Sequence, residues 1–110
     1  MYVVLLTNER RIKFFGALVE TMNFLNLLAE FLGTFLLLIS ILATGNALVI
    51  GLTLALIIFC IGSLSGGHVN PAVSLAMFVN GALSAPELAG YVVSQALGGV
   101  AAVYVFRALA

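Results

Sequence analysis

Charge is what this chain has least of. Only 7% of its 110 residues are Asp, Glu, Lys or Arg, and Glu9, Glu20, Glu30 and Glu87 balance Arg10, Arg11, Lys13 and Arg107 to a net charge of zero. A soluble globule coats itself with roughly 25–35% charged residues, so this chain cannot dress a water-facing surface. The missing basic excess excludes nucleic acid as a partner, because neutralising phosphates needs a Lys/Arg patch. Cysteine is scarcer still. Cys60 stands alone in an apolar run, which excludes an intramolecular disulfide and a cysteine-based metal cage. Asn-x-Ser/Thr acceptors for N-glycosylation are absent. What fills the chain instead is apolar: 64% of the residues are hydrophobic and the mean hydropathy is +1.28. That content excludes disorder, and the length suits one small domain. The class is an integral membrane protein.

Residues 2–6 are apolar but too few for a secretory h-region, and they precede the charges instead of following them. No signal peptide is expected. A polar cluster follows at residues 9–13, and Ile12, Phe14, Phe15, Leu18 and Val19 make a loosely amphipathic stretch suited to the headgroup region. We therefore separate an N-terminal segment, residues 1–23, from a membrane domain, residues 24–110. The first span covers about residues 24–43, and twenty residues at ~1.5 Å each reach ~30 Å, the hydrocarbon thickness. Thr44-Gly45-Asn46 is a turn that returns the chain antiparallel. The second span covers about residues 47–64. A third, about residues 87–107, follows Ser84-Ala85-Pro86, with Pro86 in the first helical turn and Glu87 at its positive end.

Between the second and third spans lies a piece of different character. Ser65-Gly66-Gly67-His68-Val69-Asn70-Pro71 cannot continue a helix, yet residues 72–79 are apolar again and Asn80-Gly81 is a helix-stop signal. Residues 71–79 make only ~14 Å of helix, about half a bilayer. A half-length helix introduced by a glycine loop is a re-entrant segment, here residues 65–79. Non-helical backbone at that depth is tolerated only where protein buries it or it lines a water-filled cavity. Asn70 is a favoured N-cap and Pro71 a favoured first residue. The helix start carries roughly +0.5 charge, the Asn70 amide offers two donors, and the loop carbonyls offer acceptors. This lining suits a neutral hydrogen-bonding solute, water above all. The fold class is all-α: three transmembrane helices plus one re-entrant half-helix.

The loop and half-helix start resemble the first-half pore loop of the aquaporins, the major intrinsic proteins, with their Asn-Pro-Ala signature. Ala29-Glu30-Phe31-Leu32-Gly33-Thr34 is similar to the family's first-helix motif, Gly51-Leu52-Thr53 to its second, and Tyr91-Val92-Val93-Ser94-Gln95 through Gly98-Gly99 to its third. The resemblance runs from about residue 27 to the end and covers half of the aquaporin fold. It implies that Asn70, Pro71 and Ala72 form the mid-membrane constriction, with Gly66, Gly67, His68 and Val69 lining the pore through their carbonyls. It implies that Glu30 accepts hydrogen bonds from the pore-loop backbone, and that Gln95 and Gly98 support the third helix. The selectivity position on the second helix, twenty residues before the signature asparagine, is Ile50 here. Water-selective members often carry an aromatic residue there, so the departure bears on which solute is preferred.

Other roles weigh against these. Glu30 could serve a proton- or cation-coupled site, or be satisfied by loop amides; its charge costs at least ~2.5–3.5 kcal/mol inside a span. His68 could relay protons, gate, ligate a metal or orient by hydrogen bonding; with no Cys or Asp nearby, no metal and no cofactor are expected. In Gly62-Ser63-Leu64-Ser65-Gly66, Leu64 holds the place of a hydrolase nucleophile, so no enzyme follows. The pair Gly62 and Gly66, and the stripe Ser94, Gly98 and Ala102, are small-residue surfaces for close helix packing.

Aquaporins combine two inverted repeats, whereas this sequence has one Asn-Pro-Ala and lacks the family's second-half arginine. Alone, the loop and helix end would face lipid at a cost. The expected partners are therefore the lipid bilayer, water or a small neutral solute such as glycerol, and a second half, either another copy of this chain (a homo-oligomer) or a separate chain. Three basic residues precede the first span and only Arg107 lies opposite, which favours a cytoplasmic N-terminus in a cell or inner membrane. The alternatives are a small proton-coupled antiporter of dual topology and a truncated, non-transporting fragment.

Overall fold

The computed structural model describes the backbone of residues 2–110, and the side chains of these except residues 2–7, 19, 21 and 22. Val19, the last member of the expected amphipathic stretch, is thus outside the described side chains. Four helices make up the described fold: α1 (Tyr2–Thr44), α2 (Ala47–Ile61), α3 (Pro71–Val79) and α4 (Ala85–Leu109). The extents of 64 × 32 × 22 Å reflect α1, whose 43 residues reach ~65 Å. The N-terminal segment and the first span are one continuous helix, since no proline or cap interrupts residues 20–26.

Local chemistry sets the other boundaries. Gly45 takes φ +55, and Asn46 Oδ1 accepts from Leu48 N at 3.0 Å and Val49 N at 3.1 Å to cap α2. Ser84 and Glu87 form a reciprocal capping box at the start of α4: Ser84 N donates to Glu87 Oε2 at 2.8 Å and Glu87 N to Ser84 Oγ at 3.3 Å. α3 ends at Val79, with Asn80 as its C-cap and Gly81 at φ +85 just beyond. The regular part of α2, in contrast, ends at Ile61, short of residue 64. One looser turn continues through Leu64 N and Ser65 N, which both donate to Ile61 O. Gly62 and Gly66 consequently share no helical face; Gly66, at φ +94, belongs to the loop.

Helix α4 lies along α1, α2 also packs on α1, and α3 leans on α4. The α1–α4 crossing is close because Gly98 has no side chain: a Cβ there would sit 2.4 Å from Phe31 O. Gly98 and Ala102 of the expected small-residue stripe are buried at this contact. Among the described residues the interior holds five hydrophobic side chains (Ala29, Ile57, Val69, Tyr91, Ala102) and six polar ones (Glu30, Thr34, Ser40, Ser65, Ser74, Gln95). Large apolar groups such as Leu32, Leu36, Leu52, Phe59 and Leu97 face outward. A polar interior under an apolar exterior is the reverse of a water-soluble core. α1 and α4 are each long and apolar enough to cross a membrane, whereas α2, with 15 residues, is shorter.

Candidate functional site

Glu30 is the centre of the interior. It points from α1 toward the loop between α2 and α3, with 0% exposure. Its Oε2 accepts from Ser65 Oγ at 2.8 Å and His68 N at 3.1 Å. Its Oε1 accepts from Val69 N at 2.8 Å and Gln95 Nε2 at 2.8 Å. Four donors on two oxygens satisfy a carboxylate that would otherwise be costly at this depth. The nitrogen of Gln95 also donates to Ser74 Oγ at 2.8 Å, and Ser74 Oγ lies 2.9 Å from His68 Nδ1. Tyr91 completes the cluster, its hydroxyl donating to Ser65 O at 2.7 Å and its ring 5.1 Å from that of His68.

These bonds orient the loop. A trans peptide directs its carbonyl opposite to its N–H. The N–H groups of His68 and Val69 face Glu30, so the carbonyls of Gly67 and His68 face away from it. Gly67 N donates to Ser65 Oγ at 3.2 Å, which turns the Gly66 carbonyl the same way. The path requires left-handed backbone at Gly66 (φ +94), Gly67 (φ +62) and also Val69 (φ +44). Glycine takes such angles freely; a β-branched residue there stores about 1–3 kcal/mol of strain. Val69 is held by its N–H on Glu30 and by its side chain, 3% exposed, which enters the gap left by Gly33, where a Cβ would lie 2.7 Å from Val69 Cγ1.

On the far side of the loop runs an open furrow of about 460 Å³, bordered by Leu37, Leu54, Ile58, Val73 and Met77 together with Gly66, Gly67, His68, Val69 and Asn70. Asn70 caps α3: its Oδ1 accepts from Ala72 N at 2.9 Å, which leaves the amide nitrogen as the free end. A second cavity, about 560 Å³, lies on the other side of Gly66 and His68, between α1 and the start of α4; Asn23, Asn26, Glu87 and Tyr91 are among its lining residues.

The residues expected from the sequence thus divide. Glu30, Gln95, Gly66, Gly67, His68, Val69 and Asn70 converge. Pro71 and Ala72 are exposed at the α3 start and lie outside the furrow lining, as does Ile50, one turn before Leu54 on α2. Tyr91 and Gly33 stand in the motifs quoted above without a role of their own, and Ser74 and Leu54 likewise had no role assigned. Ser74 had a signal, a hydroxyl in an otherwise apolar half-helix four residues after Asn70. Tyr91 had one too, sharing the α4 face of Gln95 at i and i+4.

The amino-acid sequence matches known proteins. The family model of the major intrinsic proteins covers residues 17–110. The chain belongs to the major intrinsic protein family. It is 42% identical to glycerol uptake facilitator protein-like 6 of Lactiplantibacillus plantarum, across 68% of this chain and 39% of that protein. It is 41% identical to aquaporin Z of Brucella melitensis, across 74% of this chain and 42% of the relative. Aquaporin Z of Photorhabdus laumondii is 35% identical, across 76% and 43% respectively. The chain therefore spans about two fifths of the length of these relatives. As a major intrinsic protein it is an integral membrane protein, and these relatives bear the names of aquaporins and of a glycerol uptake facilitator.

Proposed function

We propose that this chain forms one half of a channel that passes water or small neutral solutes such as glycerol down their gradients. The observation that carries this reading is the loop of residues 66–69, with the His68 and Val69 amides fastened to Glu30 and the carbonyls of Gly66, Gly67 and His68 directed the opposite way, beside a furrow that Asn70 helps to line. The carbonyls serve as successive acceptors and the Asn70 amide as a donor at the positive start of α3. A neutral solute exchanges water for these groups, whereas a cation meets the helix end unfavourably. α1, α2 and α4 are the spans and α3 is the re-entrant half-helix, with the N-terminus cytoplasmic. Ile50, outside the furrow lining, acts on solute choice only if the second wall brings the pore toward it.

The furrow is open along one side, and polar backbone left against lipid is costly. A second half supplies the opposite wall. An antiporter is disfavoured on two counts. α3, with nine residues, is too short for a fourth span, and Glu30 already holds four donors. Stopped-flow osmotic shrinkage tests the channel. Vesicles carrying this chain, alone or together with the C-terminal half of the Brucella aquaporin Z, are expected to shrink faster than protein-free vesicles in at least one case. Lipid-only rates in both would refute the proposal.

A further inference from the structure

His68 stands where the two cavities meet. It and Gly66 are the residues common to both linings. What the ring presents there depends on which nitrogen carries the proton, and the surrounding hydrogen bonds decide it. An ionised carboxylate only accepts, so Gln95 must turn its amide nitrogen to Glu30. The second N–H of that nitrogen goes to Ser74 Oγ. Ser74 is fully buried, so its own hydroxyl proton needs an acceptor within the protein. Asn70 O, one turn back, takes the Ser74 N–H at 3.1 Å, whereas Ser74 Oγ has its hydrogen bonds with Gln95 Nε2 and His68 Nδ1. Among the described residues, the acceptor in reach of the hydroxyl is His68 Nδ1, 2.9 Å away. A ring nitrogen that accepts this proton carries none itself, so the ring hydrogen lies on Nε2.

We propose that Ser74 fixes His68 as the Nε2–H tautomer and that this N–H is a specificity-determining donor at the junction of the two cavities. Nε2 is on the Gly66 side of the ring: a Cβ built on Gly66 would lie 2.9 Å from it. The carbonyls of Gly66, Gly67 and His68 can only accept. A ring N–H beside them lets a solute oxygen accept from His68 while its hydroxyl donates to a carbonyl. That pairing suits water and alcohols, which carry both functions on one oxygen, and it disfavours solutes that only donate. Ser74 is a positioning residue, since it is buried and acts through the ring. The tautomer stands apart from any transport; only its effect on permeation rests on the channel reading.

His68 is the sole histidine, so a chain labelled with 15N-histidine and reconstituted in vesicles carries a single imidazole reporter. Solid-state 15N spectra, recorded where the ring is neutral, are expected to show one population with Nε2 protonated and Nδ1 bare. A protonated Nδ1, or a mixture, overturns the proposal whether or not the vesicles conduct, and needs no variant. Ser74→Ala is expected to release the ring into a mixture of tautomers; a ring still wholly Nε2–H assigns no role to Ser74. In vesicles that conduct, the same variant is expected to lower water permeability several-fold. Unchanged permeability with mixed tautomers would overturn the donor's part in selection.

Discussion

Replacing Glu30 by glutamine changes one atom and removes one charge, and the structure says where the damage falls. The four donors arrive two per oxygen, so the new NH₂ must face one pair. Facing Ser65 and His68, it can donate to Ser65 Oγ if that hydroxyl turns to Ile61 O, 3.5 Å away; the His68 N–H is then orphaned. Facing Val69 and Gln95, it can be met by the Gln95 carbonyl oxygen, which is buried and has no partner, if that amide flips; the Val69 N–H is then orphaned. Either way one buried backbone donor loses its acceptor, at about 1–3 kcal/mol. The three surviving bonds fall from charge-assisted to neutral strength, about 1 kcal/mol each. Against this, the variant avoids the ~2.5–3.5 kcal/mol cost of a charge in a span. The balance is a loss of about 2 kcal/mol confined to residues 65–69, which is about 30-fold in the local opening equilibrium. Amide hydrogen exchange in detergent micelles reads it directly: His68 and Val69 are expected to exchange about 30-fold faster, while the α1–α4 contact around Gly98 keeps its protection. Unchanged exchange at both amides in a folded variant would refute the reasoning.

The remaining predictions concern backbone and packing. Gly98→Val forces α1 from α4, because a Cβ would meet Phe31 O at 2.4 Å; thermal unfolding in detergent is expected to register a loss of about 1–3 kcal/mol. Gly51→Ala on α2, where nothing lies within 4 Å of the new Cβ, is expected to gain about 0.5–1 kcal/mol in the same assay. Gly66→Ala must hold φ +94 with a side chain pressed on the His68 ring, so a loss of about 1–2 kcal/mol is expected, together with faster exchange at His68. Asn70→Ala removes the cap on Ala72 N, worth about 1 kcal/mol. Exchange at residues 72–74 is expected to rise, and Asn70→Asp, which keeps the cap oxygen, to restore it.

The boundaries of α3 were legible because they are written locally: Asn70-Pro71 starts a helix and Asn80-Gly81 stops one whatever surrounds them. Glu30 could be singled out as the acid inside a span, though not with its four donors. The early end of α2 was not legible. Residues 62–64 remain apolar enough for a span, and only the reach of Ser65 to Glu30 and the turn at Gly66 end the regular helix there. Val69 was least legible of all, since a β-branched residue in a left-handed conformation contradicts its own preference.

By itself the sequence determined the solvent and the class. With 7% charge and 64% hydrophobic content, no arrangement of this chain could face water on all sides, and its motifs named the family. The tertiary structure decided which groups hold the loop. Hydrogen bonds between residues 35 to 65 positions apart depend on how α1 and α4 cross, and that crossing is set by close contact at Gly98, not by any local signal. It also decided that Ser74 stands between Gln95 and His68. Directional bonds between distant residues exist only once packing has brought them within 3 Å of one another.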